Sequence, residues 1–262
     1  MPTTTISGAT IHYIEKGHGT PIVLLHGFPL DGRMWASQIE SLSASHRVIA
    51  PDFRGFGQSP PAGPFTMESL ADDVHTLAQQ LKATPFVLAG LSMGGYVALA
   101  YARKYPADLR GLILLDTKAE ADTAEGREGR GKMIQLVREK GSAAVGDAMQ
   151  PKLLPPDAIK SKPQVVKKLR QMTDGTPAIT IEHALAAMRD RPDQTDLLAS
   201  IAVLTLVITG DADGITPPAV CEAMQRKISK SQLTIIKGAG HMTTMEQPEQ
   251  VNAAIGRFLS QL

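Results

Sequence analysis

At 262 residues, with 43% hydrophobic and 20% charged residues, the chain has the composition of a soluble globular protein. Its length suits one large domain, or a domain carrying one insertion. A net charge of +1 gives no electrostatic reason to bind nucleic acid or an anionic membrane, and no apolar run approaches a membrane span. The lone cysteine, Cys221, excludes an internal disulfide, and the N-terminal residues lack the basic and apolar regions of a signal peptide. A cytoplasmic protein is expected.

Taken in order, Thr3 to Ser7 and Thr10 to Glu15 alternate apolar and polar residues around Gly8-Ala9, as an antiparallel hairpin does. Pro21 to Leu25 is a continuous apolar run, the mark of a strand buried on both faces, and it ends in His26-Gly27-Phe28-Pro29. Met34, Trp35, Ile39 and Leu42 carry helical spacing. Arg47 to Ala50 is another buried run, closed by Pro51-Asp52 and the loop Arg54-Gly55-Phe56-Gly57. Leu70, Val74, Leu77 and Leu81 predict a helix over Thr66 to Leu81, with Thr66 as its cap.

Phe86 to Ala89 then leads through Gly90-Leu91-Ser92-Met93-Gly94 into a small, apolar helical run, Gly95 to Ala102. Strand, sharp turn and helix around G-x-S-x-G is the context of a nucleophile elbow, which holds its serine in a strained conformation with Oγ at the tip. Leu112 to Leu115 is the next strand and ends in Asp116-Thr117. From Lys118 to about Leu198 the buried β-type runs vanish, and Ala119 to Pro192 is read as an inserted helical cap, residues 119–192, in a core of 1–118 and 193–262. Lys160, Lys162, Lys167, Lys168 and Arg170, without interleaved aromatics, are expected to form a solvated helix face. Leu204 to Thr209 resumes the strand pattern before Gly210-Asp211-Ala212-Asp213. A helix from Pro218 to Ile228 holds Cys221 as a packed residue, and a strand, Leu233 to Ile236, runs into Gly238-Ala239-Gly240-His241. Glu249 to Leu259 closes the chain as a helix.

Two hairpin strands followed by apolar strands alternating with helices predict an α/β fold, with an eight-stranded, mostly parallel sheet covered by helices on both faces. Ligands bind beyond the carboxyl ends of such strands. Ser92, Asp116, Asp211, Asp213, His241 and the segment His26-Gly27-Phe28 all follow strands. A hydrolase needs a nucleophile, a base, an acid to orient the base, and donors for the oxyanion. The order serine, acid, histidine matches that expected with a nucleophile elbow. Imidazole can take the serine proton near pH 7 and return it to a leaving group. By position alone Asp116, Asp211 and Asp213 all remain candidates for the acid.

His26-Gly27-Phe28-Pro29, the run Asp52 to Ser59, Gly90 to Gly95, Gly210 to Pro217 and Gly238 to Pro248 stand in the order of α/β-hydrolase fold motifs, and the chain resembles that superfamily over nearly its whole length. It looks closest to bacterial serine esterases and lactonases, including those similar to 3-oxoadipate enol-lactonases. The resemblance implies Ser92 as nucleophile, His241 as base and Asp213 as acid, with Asp116 the rival because some relatives supply the acid there. Asp211 is then a turn-forming neighbour. The backbone N–H groups of Phe28 and Met93 are the expected oxyanion donors. His26 is expected to hold its loop, and Asp52 and Arg54 to fix theirs as a pair. Phe28, Leu30, Met93, Ile215 and Met242 point to a small, fairly apolar ester or lactone as substrate, with Phe28, Leu30, Ile215 and Met242 expected to bind it.

Serine stands where dehalogenase and epoxide-hydrolase relatives carry aspartate, which disfavours an alkyl-enzyme ester. No H-E-x-x-H or clustered Cys/His set occurs, and Gly55-x-Gly57-x-x-Pro60 fails as a dinucleotide fingerprint, so no metal or organic cofactor is expected. The alternatives are an enzyme specialised for enol-lactones or acyl-homoserine lactones, and a perhydrolase, which Pro29 keeps open. A C–C hydrolase or lyase on the same three residues and a non-catalytic ligand-binding relative complete the set.

Overall fold

The computed structural model describes residues 2–262. Its strands are β1 (Thr3–Ile6), β2 (Ala9–Lys16), β3 (Pro21–Leu25), β4 (Arg47–Pro51), β5 (Phe86–Leu91), β6 (Leu109–Leu115), β7 (Thr205–Gly210) and β8 (Ser231–Ile236). They form one sheet in the order β1-β2-β4-β3-β5-β6-β7-β8. β2 runs antiparallel to both of its neighbours, and every pair from β4 to β8 is parallel. The register aligns Val23, Leu88, Leu112 and Thr205 across the centre, so the carboxyl ends of β3, β5, β6 and β7 open onto one rim. All six residues of β5 are buried, as a strand covered on both faces requires. At the edge, β8 is only partly covered, and Ile235 is exposed.

The helices are α1 (Ala36–Leu42), α2 (Met67–Gln80), α3 (Met93–Lys104), α4 (Ala124–Leu153), α5 (Pro156–Ser161), α6 (Pro163–Gly175), α7 (Ala178–Asp190), α8 (Pro218–Arg226), α9 (Thr243–Glu246) and α10 (Pro248–Leu259). A 3₁₀ turn, Gly32–Trp35, precedes α1, so the helical spacing from Met34 onward covers two kinds of helix. Thr66 caps α2 reciprocally with Ser69: each side-chain oxygen accepts the other's backbone N–H. Every residue of α3 from Met93 to Ala102 is buried, which its glycines and alanines permit by letting the helix approach the sheet closely. The short α9 has no apolar periodicity, and sequence reading leaves it unassigned.

Between β6 and β7, α4 packs on α6 and α7. The α4 helix bends at Gly141, whose φ of 75° and ψ of −176° are non-helical. Arg191 ties the end of this segment to its beginning and to α3. Its guanidinium bonds Asp122 Oδ1 at 2.8 Å, the Met188 carbonyl at 2.6 Å and the Glu120 carbonyl at 2.8 Å, and lies 3.9 Å from the ring centre of Tyr96 on α3. The expected solvated face is only partly that: Lys160, Lys167 and Lys168 are exposed, whereas Arg170 is half-buried against Asp147 and Asp174. Lys162, also half-buried, donates to the Glu246 carbonyl. Among the described residues no helix is long and apolar enough to cross a membrane.

Candidate active site

Ser92 joins β5 to α3 with φ 53° and ψ −112°, a conformation that a residue with a Cβ rarely adopts. The surroundings over-determine it. Its N–H donates to the Leu115 carbonyl at 2.9 Å, and its own carbonyl accepts from Thr117 Oγ1 at 2.9 Å and from the N–H of Gly95 at 2.9 Å. Two glycines make the turn possible. A methyl group on Gly94 would lie 2.3 Å from the Leu25 carbonyl oxygen, and one on Gly90 would lie 2.2 Å from that of Gly94. Ser92 itself is half-buried, with its neighbours Leu91 and Met93 fully so.

His241 reaches Ser92 from the loop after β8. Its Nε2 is 2.9 Å from Ser92 Oγ, and its Nδ1 is 2.8 Å from Asp213 Oδ2. Asp213 follows β7, and both His241 and Asp213 are buried. The Asp213 carboxylate is saturated with donors: Oδ1 accepts the N–H of Ile215 at 2.8 Å and of Thr216 at 3.0 Å, and Oδ2 accepts Thr216 Oγ1 at 2.7 Å. Burial alone would raise this carboxyl. Hydrogen bonds from His241 and Thr216 outweigh that penalty and hold it down at about 2. A carboxylate at Nδ1 keeps the proton on that nitrogen and leaves Nε2 free to accept one from Ser92.

Asp116 does not reach His241. Its Oδ1 accepts the Gly210 N–H at 3.2 Å and its Oδ2 accepts Thr243 Oγ1 at 2.5 Å, which joins β6, β7 and α9. Complete burial, then the nearby Asp213 charge, push its carboxyl well above the usual range. Asp211 holds more than its own turn, because its Oδ1 accepts the Gly238 N–H at 2.9 Å in the loop that carries His241.

The loop after β3 lies against the elbow, since a methyl group on Gly27 would stand 3.5 Å from Ser92 Cβ. Met93 is the first residue of α3, where an N–H has no intrahelical acceptor. Among the described residues neither its N–H nor that of Phe28 finds an acceptor in the chain. His26 fixes this loop: Nε2 accepts the Phe53 N–H at 3.0 Å, and Nδ1 lies 3.1 Å from the Gly27 carbonyl. Burial lowers its pKa, which keeps the ring neutral for that bridging role. Asp52 and Arg54 do not pair with each other. Asp52 meets His12 Nδ1 at 2.7 Å and the Gly32 N–H at 2.8 Å, whereas Arg54 forks onto Asp73 of α2.

Phe28, Leu30, Met93 and Met242 are buried around these loops. Ile215 stands apart with 37% of its surface exposed, and its backbone N–H, not its side chain, engages Asp213. Thr216 and Glu246 support the site without being singled out by the sequence. The signal for Thr216 is its place one residue beyond the Asx-turn that Asp213 makes with the Ile215 N–H. Glu246 offers only a buried acid on a four-residue helix. Among the described residues no group of three or more His, Cys, Asp or Glu side chains is disposed to hold a metal ion.

Comparison with known proteins agrees with this architecture. The chain superimposes on a thermophilic esterase from Thermogutta terrifontis, solved with malate bound, with a TM-score of 0.94 and 44% identity over 99% of this chain and 96% of that one. It is 34% identical to the AB hydrolase superfamily protein YisY of Bacillus subtilis, over 95% of each chain. It is 29% identical to 3-oxoadipate enol-lactonase 2 of Acinetobacter baylyi, over 97% of this chain and 94% of the relative. Residues 20–248 match the alpha/beta hydrolase fold family as a whole, and the chain belongs to that family.

Proposed function

We propose that the chain is a serine hydrolase that cleaves carboxylic esters or lactones of small, fairly apolar substrates through an acyl-enzyme on Ser92. One observation carries this reading: a continuous hydrogen-bonded line from Ser92 Oγ through His241 to a saturated, low-pKa Asp213. In the reading, His241 Nε2 removes the Ser92 proton as Oγ attacks the carbonyl carbon. Asp213 holds the ring and stabilises the imidazolium that forms. The Phe28 and Met93 N–H groups take the oxyanion, and such a donor is worth about 3 kcal/mol of the barrier. The imidazolium then protonates the leaving oxygen, which opens a lactone or releases an alcohol. Water deprotonated by His241 attacks the acyl-enzyme and returns Ser92.

Residues 119–192 act as a cap above the core of 1–118 and 193–262, with Thr176 Oγ1 donating to the Pro29 carbonyl at 3.3 Å beside the oxyanion loop. Relatives named esterase and enol-lactonase support the substrate class. Initial rates on p-nitrophenyl acetate, butyrate and octanoate, an enol-lactone and an acyl-homoserine lactone test the proposal. Turnover of at least one of them, absent in Ser92→Ala, is expected; folded protein inert on the whole panel would overturn it.

A further inference from the structure

Three successive backbone N–H groups around His241 each donate to an acceptor outside the loop. Those of Gly240 and Met242 both reach Oε1 of Glu246, at 3.0 Å each. That of His241 itself reaches the Leu153 carbonyl at the end of α4, at 3.2 Å. One side-chain oxygen thus bridges the residues on either side of the histidine. Glu246 is 3% exposed, and its Oε2 has no partner among the described residues. A buried carboxyl with one idle oxygen is costly, so a side chain kept there must return something through the other oxygen. Burial raises its pKa, and the two N–H bonds oppose that rise. The Gly240 side of the loop has no slack either: a methyl group there would lie 2.5 Å from Pro155 Cδ.

We propose that Glu246 is a positioning residue for His241, acting through the Gly240 and Met242 amides to fix the imidazole between Ser92 and Asp213. The proposal rests on the serine-hydrolase reading above. It also explains why α9 exists as one isolated turn. The turn places Glu246 back over residues 240 and 242, while Lys162 draws on the Glu246 carbonyl from the α5–α6 junction. The role needs an acceptor oxygen at Oε1 and not a charge.

The test compares Glu246→Ala, Glu246→Asp and Glu246→Gln with the wild type on the best substrate of the panel. Ser92→Ala and His241→Ala run beside them, and circular dichroism and urea melts establish folding. Glu246→Ala and Glu246→Asp, which is one methylene too short, are expected to lower kcat on the order of tenfold to a hundredfold with KM little changed, as displacement of a reacting group does. Inactivation by a fluorophosphonate should slow by the same factor. The far-downfield proton resonance of His241 Nδ1 should broaden or vanish. Glu246→Gln keeps the acceptor and should recover most of kcat and the resonance. Folded Glu246→Ala or Glu246→Asp with kcat and labelling rate within twofold of wild type would overturn the proposal, as would Glu246→Gln losing as much as Glu246→Ala. Activity surviving in Ser92→Ala and His241→Ala would instead remove the hydrolase reading beneath it.

Discussion

Thr216 gives its hydroxyl to the same Asp213 oxygen that receives His241: Oγ1 lies 2.7 Å from Oδ2, and Nδ1 lies 2.8 Å from it. Thr216→Val removes that donor and keeps the backbone one. The Asp213 carboxyl should then rise from about 2, and kcat should fall roughly tenfold, the worth of one hydrogen bond to a charged group. The stability consequence has a definite sign. A carboxyl depressed on folding stabilises the protein above its ordinary value of 3.8 and loses that contribution as pH falls toward about 2. Urea melts should therefore show the wild type ahead of Thr216→Val above pH 4, with the gap closing on further acidification.

Asp116→Asn should behave in the opposite way. The buried Asp116 carboxyl is raised, so its ionisation costs stability as pH climbs above 3.8. Asparagine keeps one acceptor, for the Gly210 N–H, presents its Nδ2–H to Thr243 Oγ1, which can accept it, and removes an ionisable group beside Asp213. The variant is expected to be more stable than wild type at pH 7, to lose that advantage below about pH 4, and to keep kcat within about threefold. An Asp213→Asn protein measured beside it should lose kcat by orders of magnitude. The reverse pattern would make Asp116 the acid.

Gly94→Ala tests the elbow's packing. Its methyl group meets only backbone, the carbonyls of Leu25 and His26, so nothing flexible can yield. A loss of about 3 kcal/mol or failure to fold is expected. Gly129→Ala in α4, with nothing within 4 Å, should be neutral or stabilising by up to about 1 kcal/mol.

Arg191→Met removes a buried guanidinium that holds Asp122, two carbonyls and the Tyr96 ring together. Breaking such a pair costs about 3 kcal/mol or more. Limited proteolysis should then cut first within residues 119–192, and an unchanged cleavage pattern would show that the segment is held elsewhere.

The fold was legible because burial on both sheet faces demands continuous apolar runs. Pro21 to Leu25 is read with the same bounds in sequence and structure, and the strands before Ser92, Asp116 and Asp213 follow the same logic. The members of the candidate site were legible as residues after strands. The partners that hold them were not, because partner choice across the chain leaves no local pattern. Asp52 pairs with His12, on the neighbouring antiparallel strand, and Arg54 with Asp73, on the next helix, although Asp52 and Arg54 stand two apart in sequence. Asp211 spends its oxygen on Gly238, and Glu246 spends its own on Gly240 and Met242. Ile215 shows a related gap, since apolar character near an acid loop does not say which way the side chain faces.

Intact-protein mass spectrometry after a fluorophosphonate probe tests the serine mechanism most directly. The wild type is expected to gain one probe mass, mapped by fragmentation to Ser92, with no gain in Ser92→Ala and labelling slowed by on the order of a thousandfold or more in His241→Ala. Equal labelling of Ser92→Ala, or a probe mapped to another residue, would contradict it.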